Sequence, residues 1–64
     1  MGAPRVTPQE IVEMQRLYLK LGTYAAVGRA MNPPRSATTV SKYVQMKGVP
    51  QNIRMAVENL LRTA

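Results

Sequence analysis

Four polar side chains recur at helical spacing between residues 38 and 45: Thr38, Ser41, Lys42 and Gln45. They supply two hydroxyl groups, a cation and an amide, and no carboxylate lies among them. Such a helix face can donate hydrogen bonds to phosphate oxygens and to base edges without repelling phosphate. An ordinary solvated face is the alternative, although such faces usually mix both signs of charge. The pattern therefore predicts a surface that contacts DNA.

The helix that carries this face is expected to run from residue 37 to about residue 46. Ser36 is its predicted N-cap because a serine hydroxyl can accept a hydrogen bond from a free amide of the first turn. The residues predicted to face the core are Ala37, Val40 and Val44, and Tyr43 lies at the edge of this face.

A second helix, over residues 24–31, is predicted just before it, capped by Thr23. Gly28 lies in the middle of this helix, where glycine is unfavourable, which favours close packing as its reason; a tolerated weak position is the alternative. Asn32 is expected to end the helix in a left-handed conformation, and the two prolines that follow prevent its continuation. Two short helices joined by a turn form a helix-turn-helix, in which the second helix enters the major groove of DNA.

The first helix has a strong start signal at Thr7, Pro8 and Glu10, which fit a capping box with proline at the first helical position. It is expected to run to about Leu21 and to end at Gly22. Apolar residues at spacings of three and four form its predicted core stripe: Ile11, Met14, Leu17, Tyr18 and Leu21.

Gly48 is expected to end the third helix or to begin the loop after it. A fourth helix is predicted next, because Pro50 suits a helix start. Its apolar stripe consists of Ile53, Val57, Leu60 and Leu61. The stripe is expected mainly to close the core against the first helix. Contact with a second copy is the alternative, and the residues left open for a homodimer are Met55, Leu60 and Leu61.

The composition limits the classes of function. With 64 residues the chain predicts one small domain over 7–64, preceded by a flexible arm over 1–6 in which Arg5 could reach a groove. Nine Lys or Arg against three acidic residues give a formal charge of +6, which suits an anionic partner such as DNA. A basic surface without such a partner is the alternative.

Chemistry at an active site is not expected. The chain has no Cys and no His, and its three carboxylates are Glu10, Glu13 and Glu58. These residues predict no acid–base pair, no nucleophile assembly, no metal site and no cofactor. The sequence also has no apolar run of membrane-spanning length and no signal-peptide pattern, so a cytoplasmic location is expected.

Two short motifs carry a family resemblance. Residues 39–42, Thr-Val-Ser-Lys, together with residues 49–58, resemble the DNA-binding headpieces of lac-repressor-type regulators. The long first helix that ends at Gly22 resembles the DNA-binding end of resolvases, invertases and transposases. The resemblance implies an all-α fold, a small bundle of about four short helices that contains a helix-turn-helix.

The repressor resemblance also implies roles for individual residues. Ala37 and Thr38 fall on base-reading positions, and Lys42 falls on that of the family's reading arginine, where it can donate to guanine without a bidentate fork. Thr39 and Ser41 fall on phosphate-contacting positions, and Ser36 is a further phosphate candidate. The turn looks about two residues longer than the family's turn, so Arg35 is an alternative base reader.

The leading hypothesis is a non-enzymatic, sequence-specific DNA-binding protein, a transcription regulator such as a repressor from a bacterium, a phage or a mobile element. Phosphate contacts are expected from Arg29, Arg35, Lys47 and Arg54. The DNA-binding domain of a recombinase or transposase is one alternative. A helical protein-interaction module that uses the last apolar stripe is another.

Overall fold

The computed structural model describes residues 6–63, and this part of the chain folds into four helices without strands. The helices are α1 (Pro8–Leu21), α2 (Tyr24–Ala30), α3 (Ala37–Gln45) and α4 (Gln51–Thr63). Helix α1 contacts each of the other three, and α2 and α3 also contact each other. The predicted small all-α bundle is therefore confirmed.

The helix starts follow the local signals in the sequence. The Thr7 hydroxyl accepts a hydrogen bond from the Glu10 amide at 3.2 Å, and the Glu10 carboxylate accepts one from the Thr7 amide at 3.4 Å. Thr23 caps α2 and Ser36 caps α3 in the same way, each through its side-chain oxygen. Gly22 ends α1 in the left-handed conformation, with φ of 81°. The caps predicted at Thr7, Gly22, Thr23 and Ser36 are therefore confirmed.

The end of α2 differs from its predicted form, whereas the end of α3 lies close to the predicted position. Helix α2 ends at Ala30, and its C-cap is Met31, whose backbone is extended. Asn32 does not adopt a positive φ, so the left-handed conformation predicted for it is wrong. Met31 is also buried, which indicates that packing of its side chain fixes this end. Helix α3 ends at Gln45, and Met46 caps it in the left-handed conformation with φ of 59°. Gly48 is also left-handed, in the loop that follows, so of the two predicted places for this glycine the loop is confirmed.

The core consists of two apolar clusters on either side of α1. One cluster joins α1 to α2 and α3 through Met14, Val27, Met31 and Val40. The other joins α1 to α4 through Ile11, Val12 and Val57. Tyr43 and Val6 pack against both clusters, so Val6, which the sequence places in the arm, contributes to the core. Residues 1–5 of that arm, including Arg5, lie outside the described residues.

The predicted apolar stripes are largely buried, with three exceptions. Ala37 was expected to face the core but is exposed at the first position of α3. The fully buried residue of this helix is Val40. Leu21 is 45% exposed at the end of α1, whereas Val12, absent from the predicted stripe, is buried against α4. Leu61 is 46% exposed, while its neighbour Leu60 packs against the α1–α4 cluster.

No helix within residues 6–63 is both long enough and apolar enough to cross a membrane.

Candidate nucleic-acid interface

A close backbone approach joins α2 to the segment that leads into α3. The Arg35 amide donates a hydrogen bond to the Gly28 carbonyl oxygen at 3.0 Å. A Cβ atom on Gly28 would overlap the Arg35 carbonyl oxygen. The packing reason predicted for a glycine in the middle of this helix is therefore confirmed. This contact sets the separation of α2 from the start of α3.

The outer face of α3 is open along the length of the helix. Thr38, Lys42 and Gln45 are exposed and Ser41 is half-buried, at the spacing that places them on one side. The structure thus brings together the four polar residues singled out from the sequence. They offer hydroxyl groups and an ammonium group to a ligand that accepts hydrogen bonds, and the amide carbonyl oxygen of Gln45 to a ligand that donates them.

Intramolecular hydrogen bonds orient the C-terminal end of this face. The Gln45 amide nitrogen donates to the Ser41 hydroxyl at 3.0 Å and to the Tyr24 hydroxyl at 3.1 Å. Tyr24 in turn stacks on Tyr18, with ring centroids 4.7 Å apart and planes 13° from parallel. The end of α3 is therefore tied through side chains to α2 and α1. The spacing of four residues places Ser41 and Gln45 side by side, but the sequence gave no signal for the contacts of Tyr24 with Gln45 and Tyr18.

Lys42 carries the cation of the outer face. Its Nζ lies 5.2 Å from the centre of the Tyr43 ring, within the range of a cation–π contact. Tyr43 is half-buried and packs against both core clusters, so the exposed ammonium group lies over a ring that belongs partly to the core.

The hydroxyl groups at the start of α3 serve the helix itself. The Ser36 oxygen accepts from the Thr39 amide at 3.2 Å and donates to the Thr39 hydroxyl at 3.0 Å. Thr39 is half-buried, whereas Ser36 and the exposed Ala37 lie at the surface where α3 begins. Ser36 therefore caps α3, and a phosphate contact from Ser36 or Thr39 would share a hydroxyl oxygen that already takes part in a hydrogen bond at the start of the helix.

Arg35 has a different environment from the other predicted cations. Its guanidinium group pairs with the Glu10 carboxylate, with Nη2 2.9 Å from Oε2 and 3.1 Å from Oε1. Nε also donates to Oε2 at 3.2 Å. The Arg35 side chain is only 6% exposed and that of Glu10 18%. The structure therefore places Arg35 between α1 and the start of α3 rather than on the exposed face, so we leave it out of the candidate interface.

The remaining predicted cations are exposed on neighbouring elements. Arg29 lies on α2, Lys47 in the loop after α3 and Arg54 in the first turn of α4. The sequence between Met14 and Val57 contains no Asp or Glu. Helices α2 and α3 and their connections consequently carry only positive side-chain charge. All carboxylates of the chain lie on α1 and α4, which are in contact.

No side-chain set for metal binding occurs within the described residues, since no three Cys, His, Asp or Glu residues come together there. A shallow groove between α1 and α4 is lined by Gln9, Val12, Arg16, Leu60 and Thr63. It has a single charged group and no pair of groups suited to acid–base chemistry.

Comparison of the chain with protein-family models, with curated proteins and with solved structures gives no significant match.

Proposed function

We propose that this protein binds double-stranded DNA in a sequence-specific manner, with α3 as the helix that enters the major groove. The observation that carries the proposal is the outer face of α3, which is exposed, polar and free of carboxylates. A helix presented in this way can reach base edges while its neighbour crosses the phosphate backbone. Transcriptional regulation, repression included, is the role we propose for such binding.

The charge distribution supports a polyanionic ligand. The segment from Met14 to Val57 lacks acidic residues, and the one carboxylate shown beside the start of α3, that of Glu10, is paired with Arg35. A DNA backbone would therefore meet little repulsion as it approaches α2 and α3. Arg29, Lys47 and Arg54 are the proposed phosphate contacts, since all three are exposed cations on elements that adjoin α3.

Sequence discrimination is assigned mainly to Lys42, with Thr38 and Gln45 beside it. A lysine can donate to the O6 and N7 acceptors of guanine in the major groove. The Gln45 amide is oriented by Ser41 and Tyr24, so its placement before binding is already restricted.

A single domain of this size buries a small area on DNA, and high specificity then requires a second copy or a further domain. We propose a homodimer in which the exposed side chains of Met55 and Leu61 on α4 contribute. Leu60 belongs to the core cluster between α1 and α4 and is left out of this contact.

The test begins with the affinity of the wild-type protein for a fluorescein-labelled random-sequence duplex, measured by anisotropy over a series of salt concentrations. The proposal predicts binding that weakens steeply with salt, because each phosphate contact contributes about −0.9 to the slope of log K against log salt. Selection from a random duplex library then supplies a preferred site. Absence of binding even at low salt would instead favour a protein-interaction module.

Three single substitutions with the same loss of charge separate the roles of the cations. Lys47→Ala is expected to weaken both duplexes equally and to reduce the salt slope by about one unit. Lys42→Ala is expected to cost about 1–3 kcal/mol more on the selected duplex than on random DNA. Lys20→Ala removes an exposed cation of α1 and serves as the control. Equal losses on both duplexes for Lys42→Ala would refute its assigned role.

A further inference from the structure

We propose that Glu10, at the start of α1, is a positioning residue for the DNA-reading helix and acts through its ion pair with Arg35. The inference rests on the proposed function. It adds a residue from outside the helix-turn-helix to the determinants of sequence specificity.

The geometry of the pair is directional. Nε and Nη2 of Arg35 both donate to the Glu10 carboxylate, at distances from 2.9 to 3.2 Å. Contacts made by two nitrogens of a planar guanidinium fix the orientation of the side chain as well as its distance. Both side chains are largely shielded from water, at 6% and 18% exposure, so the pair is weakly screened.

Because Arg35 lies next to the start of α3, its ion pair with Glu10 restrains the orientation of that helix. Arg35 directly precedes Ser36, the residue that caps α3. Its side chain is held by α1 and its amide is held by the Gly28 carbonyl of α2. The residue that precedes the cap of α3 is thus fixed to two helices, while residues 31–36 have no regular secondary structure of their own.

Apolar packing alone leaves this orientation less well defined. Val40 packs with Met14, Val27 and Met31, and such contacts depend on buried area more than on direction. Base readout requires hydrogen-bonding groups at defined positions on α3. The Glu10–Arg35 pair supplies a directional restraint at the start of α3.

The test compares Glu10→Gln with Glu13→Gln. Both raise the net charge by one on α1, and Glu13 is exposed, so long-range attraction to DNA increases similarly in each. The glutamine oxygen at position 10 can still accept from the Thr7 amide, which preserves the cap of α1. Arg35→Lys is the reciprocal variant, because it keeps the net charge and replaces the two-nitrogen contact by a single ammonium group.

The first readout needs no DNA. Amide hydrogen exchange is measured in each variant well below its unfolding midpoint. Glu10→Gln and Arg35→Lys are expected to speed exchange of the Thr39 and Val40 amides by about three- to tenfold relative to Glu13→Gln. Helix α4 is the internal control, because a loss of global stability would accelerate exchange there as well. Its amides are expected to exchange at the same rate in all three variants.

The second readout is the ratio of affinities for the duplex selected by the wild-type protein and for a random-sequence duplex. Glu10→Gln and Arg35→Lys are expected to lower this ratio by about three- to tenfold, and Glu13→Gln to leave it within about twofold. Equal exchange and equal ratios for Glu10→Gln and Glu13→Gln would overturn the inference. Tighter binding of random DNA by Glu10→Gln than by Glu13→Gln would also overturn it, because Glu10 would then mask Arg35 from phosphate.

Failure of the proposed function gives a different pattern. If the wild-type protein binds neither duplex, DNA binding itself is wrong, and faster exchange in Glu10→Gln would still show that Glu10 orders the start of α3. If the wild-type protein binds DNA, but Glu10→Gln and Glu13→Gln give the same exchange rates and the same affinity ratio, the positioning role alone is wrong.

Discussion

Replacement of Gly28 by alanine is predicted to destabilise the protein, although alanine is the better helix former. In the interior of a helix, glycine to alanine is favourable by about 1 kcal/mol. Here the added Cβ would overlap the Arg35 carbonyl oxygen. A backbone oxygen cannot move aside as a flexible side chain can, so α2 and the start of α3 would have to separate.

The magnitude follows from the contacts at this point. Overpacking of this kind costs about 1–3 kcal/mol, and weakening of the 3.0 Å hydrogen bond from the Arg35 amide to the Gly28 carbonyl adds about 1 kcal/mol. After the gain in helix propensity, the net loss in the free energy of unfolding is about 1–3 kcal/mol. For a domain of this size, each kcal/mol lowers Tm by about 4–8 °C.

Urea unfolding followed by circular dichroism measures this loss. Ala25→Gly, at an exposed position of the same helix, is the matched control because it measures helix propensity without a close contact. It is expected to cost at most about 1 kcal/mol. A Gly28→Ala protein as stable as the wild type, or more stable, would refute the close approach of α2 to the start of α3.

Three further predictions concern the core, a helix cap and high pH. Met14→Ala, at a fully buried site, is expected to cost about 2–4 kcal/mol in urea unfolding, whereas Leu19→Ala, at a site 85% exposed, should stay within about 0.5 kcal/mol. Ser36→Ala should cost about 1 kcal/mol through loss of the α3 cap, and an unchanged Tm would contradict this. Interaction with the neighbouring Tyr24 hydroxyl, with a smaller contribution from burial, raises the pKa of Tyr18. The folded state therefore holds the Tyr18 hydroxyl proton more tightly than the unfolded state does. The resulting contribution to stability is fully present below the ordinary pKa of 10.0 and is lost as the pH rises through the raised pKa. The unfolding free energy should fall more steeply above that pH in the wild type than in Tyr18→Phe, and parallel curves would count against the shift.

Local signals explain why the four helices could be predicted. Caps such as Thr7, Thr23 and Ser36 act within three residues of themselves, so their hydrogen bonds depend little on the rest of the fold. The apolar spacing of α1 and α4 likewise depends on helix periodicity alone. The exposed polar face of α3 was predicted for the same reason.

Long-range contacts explain what the sequence missed. Glu10 and Arg35 are 25 residues apart, and each has another plausible role, Glu10 in a capping box and Arg35 as a surface cation. The bond between Tyr24 and Gln45 spans 21 residues and has no periodic signature. Ala37 was placed in the core because it lies one turn before Val40, yet its small side chain stays exposed at the first position of α3.

The most direct test of α3 as the DNA-contacting helix is a titration of ¹⁵N-labelled protein with the preferred duplex, followed by amide chemical shifts at moderate salt. The proposed function predicts the largest shifts over residues 36–47, with smaller ones near Arg29 and Arg54 and little change over residues 57–63 of α4. Shifts concentrated along the groove between α1 and α4, with α3 unaffected, would contradict it.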